Sequence, residues 1–269
     1  MPAEELPRLG FGTVGITDPS TVETALEIGY RHIDTAQWYE NEAIVGEGIE
    51  QSSIPREAVT VATKVLPENL GASDVRRTTE ESLDRLGLDA VDLLYVHWPT
   101  NAYDPEETLG AFDDLYTDGK IRGVGLSNFT PALLDEAREI LDAPMLATQV
   151  EMHPLLHQEE LVEYVQQADM YLVAYSPLAQ GAVFDEPVLQ DIAASHGVSV
   201  AQVSLAWLFS KDNVAAIPKA SGDHIPDNYD ALTLELTEDD LRRIDDIERE
   251  VRTVDPAEEE KVDSTPWAE

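Results

Sequence analysis

A carboxylate, a lysine, a phenol and an imidazole stand where short apolar runs end. In HIDTAQWYENE, Tyr39 follows Asp34 by five residues, enough to fold back over the end of the run, while Lys64 closes VATK and His97 lies in YVHWP. Taken as one site, they form a proton donor. A phenol with a pKa near about 10 donates poorly at neutral pH, and lowering it by about three units costs roughly 4 kcal/mol. An ammonium about 4 Å away supplies roughly that much at an effective dielectric of about 20. A buried lysine tends to lose its proton unless a carboxylate compensates, and Asp34 is left for that task. His97 can orient a substrate oxygen toward the phenol. Such a set protonates an oxygen while something else attacks the attached carbon. No serine or cysteine nucleophile arrangement is visible, so a hydride donor is the economical complement.

These residues need a frame that brings them together. Eight short apolar or β-branched runs read as strands: LGFGT, RHIDTA, VTVATKV, VDLLYVHW, IRGVGLSN, MLATQVEM, YLVAYSP and VAAIPKA. Amphipathic helical patterns alternate with them: VETALEIGY, ASDVRRTTEESLDRLGL, TLGAFDDLYTDG, PALLDEAREIL, EELVEYVQQADM and SVAQVSLAWLFSKD. Repeated strand and helix units predict a parallel sheet covered outside, and eight of them predict a single-domain (β/α)8 TIM barrel over 1–269, with an acidic tail from about 251. Asp34, Lys64, His97, Ser127 with Asn128, Gln149, Tyr175 and Lys219 then finish seven consecutive strands, where barrel loops converge on one rim. Each has a plain structural alternative, such as a turn cap or a rim plug, but their convergence favours a site. Lys219 lies where barrels commonly hold phosphate, which suits a nucleotide. Tyr175 offers a flat face for a ring, and Ser127, Asn128 and Gln149 offer donors and acceptors for an amide.

GFGTVG, residues 10–15, matches the G-x-G-x-x-G spelling of a dinucleotide loop, with Asp34 about twenty positions on. In that motif the glycines turn a strand directly into a helix facing pyrophosphate. Here the next helix starts only at Asp18 (cap), Pro19 and Ser20, ahead of Val22, Ala25 and Leu26, so the glycines fall within an extended run instead.

Composition narrows the chemistry. With no cysteine, disulfides, thiolate metal sites and cysteine nucleophiles are excluded. The formal charge of -37, from 54 acidic against 17 basic residues, repels nucleic acid and anionic membrane surfaces. Acidic residues spread through nearly every predicted helix imply a hydrated surface suited to concentrated salt, against the plainer reading of an ordinary solvated face. The start lacks a cationic and apolar leader, and no run of eighteen apolar residues occurs, so a soluble, cytoplasmic chain is expected.

Through GYRHIDTAQWYENE, VATK, YVHWP, GKIRGVGLSNF, QVEMHP, AYSPLAQG and AIPKAS, in order from about Leu6 to Arg249, the sequence resembles the aldo-keto reductase superfamily, in its 2,5-diketo-D-gluconate reductase-like branch. The resemblance implies an NADPH-dependent barrel reductase, with NADH as the competing cofactor. It matches Asp34, Tyr39, Lys64 and His97 to the catalytic tetrad, with Tyr39 as general acid. Tyr175 would stack on nicotinamide, with Ser127, Asn128 and Gln149 on its carboxamide. Thr13, Ser176 and Leu178 would also line the cofactor site. Lys219 and Ser221 would meet phosphates, and Asp227 and Asn228 the adenosine end. His224 stands where an arginine often grips the 2′-phosphate, and an imidazole is the weaker anion partner. Val14 replaces a bulky tryptophan beside Trp38 and Trp98 in the substrate pocket, and Trp267 is expected over its mouth. A monomer acting on a small carbonyl compound is implied.

Two other readings compete. In a metal-dependent hydrolase barrel, His32 and Asp34 share one strand face and His97, His153 and His157 add ligands, although Lys219 then ends a strand where a carboxylate is wanted. His153 and His157 otherwise read as helix-start and surface histidines. A catalytically idle cofactor-binding regulatory module is the second alternative; the intact set of Asp34, Tyr39, Lys64 and His97 argues against it.

Overall fold

The computed structural model describes residues 6–254. Strands and helices alternate as β1 (Phe11–Gly12), α1 (Pro19–Ile28), β2 (His32–Asp34), α2 (Glu42–Gln51), β3 (Thr60–Val65), α3 (Ala72–Leu86), β4 (Val91–Val96), α4 (Pro105–Thr117), β5 (Ile121–Ser127), α5 (Pro131–Ile140), β6 (Met145–Glu151), α6 (Glu159–Ala168), β7 (Tyr171–Tyr175), α7 (Pro187–His196), α8 (Val200–Phe209), β8 (Val214–Ala216), α9 (His224–Asp230) and α10 (Glu238–Asp245). The eight strands are parallel and pair in sequence order. The two outer strands also meet: Gly10 N donates to Ala216 O at 2.8 Å, Ala216 N to Arg8 O at 2.8 Å, and Gly12 N to Pro218 O at 3.1 Å. The sheet therefore closes on itself, as the expected (β/α)8 barrel requires.

That closure explains the glycines of GFGTVG. A Cβ on Gly10 would lie 2.7 Å from His32 Nδ1 and 2.8 Å from an Ile217 methyl, and one on Gly12 would lie 2.6 Å from the Ile217 carbonyl oxygen. The missing side chains let the first strand approach the chain leaving the eighth. The helix start falls where the sequence puts it, with Asp18 accepting from Ser20 N at 3.0 Å and Pro19 opening α1.

Alternation within each strand sorts side chains into two layers. On β3, Val61 and Val65 pack outward in the layer beneath the helices, together with Leu26, Ile33, Leu94 and Phe112. Ala62 packs inward against Leu93, Tyr95, Ala147, Val173 and Ala215. Lys64 shares the inward face with Ala62, as Asp34 does with His32 and as Gln149 and Glu151 do with Ala147. Period two thus aims the charged groups up the inside of the cylinder, toward the ends of the strands.

Some elements depart from expectation. β1 and β8 are shorter than LGFGT and VAAIPKA, because Gly12 and Pro218 leave little regular ladder there, and Lys219 lies three residues beyond β8. Helix α2 was masked by its two glycines; Gly48 leaves room for the Pro19 carbonyl oxygen, which a Cβ would approach to 2.5 Å. Helices α7, α9 and α10 are also additional. Among the described residues, no single helix is long and apolar enough to cross a membrane.

Candidate active site

Four strand ends build the core of the site. After β2 the chain makes a single 3-10 turn over Gln37–Tyr39, ended by Glu40 at φ 54, and this returns Tyr39 over the strand end. Lys64 and Asp34 form an ion pair whose side chains are each 1% exposed. The ammonium also donates to Thr35 O at 2.9 Å and lies 3.5 Å from the Tyr39 hydroxyl. Gln149 Nε2 donates to Asp34 Oδ2 at 2.8 Å. Burial by itself would strip the proton from Lys64; the Asp34 carboxylate and the Tyr39 phenol outweigh it and hold the ammonium above its ordinary pKa. His97 stands edge-on to Tyr39, with ring centroids 6.3 Å apart. Its Nδ1 is buried without a hydrogen-bond partner, and burial together with the Lys64 cation pushes its pKa down to about 3. The imidazole is therefore neutral near pH 7.

Asp34, Tyr39 and His97 line a cavity of about 680 Å³ at the strand ends, while Lys64, fully buried, meets it only through Asp34 and Tyr39. Val14, Trp38 and Trp98 give it an apolar lining, Val14 and Trp38 being 39% and 38% exposed. Thr13, Ser127, Asn128, Gln149, Tyr175, Ser176 and Lys219 give it a polar lining, to which Leu178 adds an apolar contact. These polar groups are tied together. Ser127 Oγ donates to Gln149 O at 2.9 Å, Asn128 Nδ2 donates to His97 O and Ser127 Oγ at 3.0 Å each, and the Tyr175 hydroxyl donates to Asn128 Oδ1 at 3.0 Å. Asn128 holds this position at φ 63, a left-handed conformation that asparagine tolerates. Burial, and then the Glu151 carboxylate, raise the Tyr175 pKa, so its hydroxyl stays a donor.

Ser221, His224, Asp227 and Asn228 do not line this cavity. Ser221 and His224 are exposed. Asp227 is engaged by α8, accepting from Ser199 Oγ at 2.8 Å and, through its carbonyl, from Gln202 Nε2 at 3.0 Å; Asn228 is buried. Trp267 lies outside the described residues.

The cavity includes residues that sequence reasoning passed over. Phe184 lines it while 44% exposed, in the turn after β7, where an aromatic between Gly181 and Pro187 was the available signal. Val254 lines it from the end of the described chain. Glu151, in QVEMHP, does not line the cavity, but its spacing of two from Gln149 places it on the same inward face, the one sequence signal it carries.

The histidine cluster imagined for a metal comes apart. Both oxygens of Asp34 are taken, by Lys64 and Gln149. His153 is fully buried rather than at the surface: its Nδ1 accepts from Leu155 N at 3.2 Å, which leaves Nε2 to donate to Glu151 at 3.1 Å. His157 is bonded to Pro154 O at 2.9 Å and packs by Trp207. Among the described residues, no three histidine or carboxylate side chains are grouped to hold a metal ion.

Known proteins share this sequence pattern and this fold. The profile of the Aldo/keto reductase family matches residues 8–249. The chain is 39% identical over 254 residues to glyoxal reductase of Bacillus subtilis (strain 168), covering 92% of this chain and 91% of that one. It is 36% identical over 258 residues to methylglyoxal reductase DkgB of Escherichia coli O157:H7, covering 93% and 96%. The crystal structure of a thermostable aldo-keto reductase in complex with the inhibitor epalrestat superposes with a TM-score of 0.85 at 35% identity, over 91% of this chain and 96% of that one.

Proposed function

The chain belongs to the aldo/keto reductase family, and from that premise we propose that Tyr39 delivers the proton in the reduction of a carbonyl compound bound in the cavity. Carbonyl reduction is the family's reaction. The observation that carries the assignment is the Lys64 ammonium, buried, paired with Asp34 and 3.5 Å from the Tyr39 hydroxyl. Coulomb attraction is mutual: the phenolate that stabilises this cation is stabilised by it, so the proton leaves Tyr39 more readily as negative charge grows on a substrate oxygen. His97, neutral and with Nδ1 unpartnered, directs that oxygen toward the phenol. Trp38, Trp98, Val14 and Phe184 hold the rest of the substrate away from water.

The polar wall fits a nicotinamide nucleotide, which when bound supplies the hydride. Ser127, Asn128 and Gln149 present their linked groups to its carboxamide, Tyr175 stands by the ring with its hydroxyl fixed, and Thr13, Ser176 and Leu178 complete the wall. Lys219 and Ser221 are assigned here to the phosphates, and His224, Asp227 and Asn228, which stand outside the cavity, to the adenosine end. We take NADPH as the donor and NADH as its competitor, because His224 is a weaker phosphate partner than a guanidinium. A small dicarbonyl such as those named for the bacterial relatives suits the pocket. A cytoplasmic, salt-adapted monomer goes with this reading, its charge of -37 disfavouring nucleic-acid partners.

Replacing Tyr39 with phenylalanine tests the assignment. Turnover of methylglyoxal falls by about 10²- to 10⁴-fold while NADPH still quenches tryptophan fluorescence as in the parent. Unchanged turnover overturns it.

A further inference from the structure

Beyond the proton-delivering set, one buried carboxylate, bonded to a residue of the cavity lining, has no part in the chemistry above. Glu151 ends β6 two residues beyond Gln149, on the same inward face, and is 1% exposed. Its oxygens accept from the chain's own last described residues: Oε1 from Thr253 N at 2.6 Å and Thr253 Oγ1 at 2.5 Å, and Oε2 from Val254 N at 3.0 Å. His153 Nε2 meets Oε1 at 3.1 Å, and with its Nδ1 engaged by Leu155 N the imidazole is fixed as a donor. Two further bonds hold the same segment, Val251 N to Leu155 O at 2.9 Å and Gln180 Nε2 to Thr253 O at 3.3 Å. Val254, at the end of this tether, is a wall of the cavity.

We propose that Glu151 is a positioning residue: its carboxylate seats residues 251–254 across the barrel mouth and thereby sets the width of the substrate cavity through Val254. The physical case rests on donor count. Burial alone would drive this carboxyl toward its neutral form, but the bonds from His153, Thr253 and Val254 outweigh burial and hold its pKa below the ordinary carboxylate range, so the group is an anion with its acceptors filled. A charged acceptor gives stronger bonds than a neutral one, and a backbone segment tied by three of them is held more firmly than packing by one valine can manage. The partners span about a hundred positions in sequence, so the bond joins the sixth strand to the segment that follows α10 and not to a local turn. Glu151 touches no reacting atom.

The inference rests on reading the cavity as the carbonyl site, and the test separates the two. Hydrogen exchange of the Thr253 amide is followed in the full chain and in Glu151→Ala, Thr253→Ser, Thr253→Val and Val254→Pro. The last two delete a donor from the terminal segment without touching the barrel and carry the test where Glu151→Ala fails to fold. Protection of residue 253 is expected to fall in Glu151→Ala, Thr253→Val and Val254→Pro, and to persist in Thr253→Ser, which keeps the hydroxyl. In steady state, loosening the segment in Glu151→Ala or Thr253→Val, which leave the Val254 wall residue in place, raises KM for methylglyoxal by about tenfold with kcat within about twofold, while a bulkier aromatic aldehyde loses less. Exchange and KM unchanged in these variants overturn the proposal, as does a loss confined to kcat. If the parent turns over no carbonyl compound, the exchange arm still decides the tether and the failure belongs to the functional reading.

Discussion

The side-chain amide of Gln149 donates to Asp34 Oδ2 at 2.8 Å, so a fully buried carboxylate has a separate donor on each oxygen: the Lys64 ammonium on one and a neutral amide on the other. Replacing Gln149 with leucine leaves Oδ2 unpaired. The expected loss is about 1–3 kcal/mol of unfolding free energy, read from urea denaturation at constant m-value. A midpoint equal to the parent's contradicts this account of the pair.

Lys64→Met strands the Asp34 carboxylate inside the barrel, which costs about 3–5 kcal/mol. The double variant Asp34→Asn with Lys64→Met recovers part of that stability, since no charge remains buried. Turnover in the double variant stays at least about 10²-fold below the parent, because the phenol has lost its cation. Thermal melts and initial rates on the same preparations distinguish the two effects.

Acid weakens the fold through identifiable groups. Burial first, opposed by Asp34 and reinforced by Lys64, lowers the His32 pKa to about 4, so unfolding gains a proton between that value and about 6.5. Stability therefore falls as pH drops through this window, by about 3 kcal/mol at most from His32. Glu151, held below the ordinary carboxylate range, acts in the same sense: its contribution is present above that range and is lost as pH falls. Urea midpoints measured from pH 7 to pH 4.5 are expected to decline, and His32→Gln to flatten the slope. A midpoint that rises on acidification contradicts both assignments.

Salt acts in the opposite direction. A charge of -37 repels itself over a Debye length that shrinks from about 10 Å at 0.1 M to about 3 Å at 1 M. Molar KCl is expected to raise Tm by about 5 °C or more, measured at a fixed pH near 7. An unchanged Tm returns the acidic surface to an ordinary solvated face.

The barrel and its rim were legible because apolar runs and alternation along a strand are strong signals: they place His32 and Asp34 on one face and mark the polar residue that closes each run as a rim position. The order of the strands followed from parallel pairing of consecutive units. Pairing among side chains was not legible. Nothing in spacing reveals that Gln149 reaches Asp34, or that the Asn128 amide spans His97 and Ser127, because those contacts depend on where the closed sheet brings distant strands. Helix α2 escaped notice for a local reason, its glycines reading as breakers where they permit close packing. His153 escaped for a tertiary one: a histidine before proline reads as surface chemistry unless its buried carboxylate partner is known.

Closure of the first strand onto the eighth has a bearing on how the molecule comes to life. Asp34 draws its partners from positions 30 and 115 residues further along the chain, so a nascent chain possesses the carboxylate well before the Gln149 amide that completes its bonding. The seam adds the final wall, because Gly12, Ile217, Pro218 and Lys219 line the cavity where it closes. A barrel opened at that seam, by damage or by a misplaced side chain at Gly10 or Gly12, would fall silent before it fell apart.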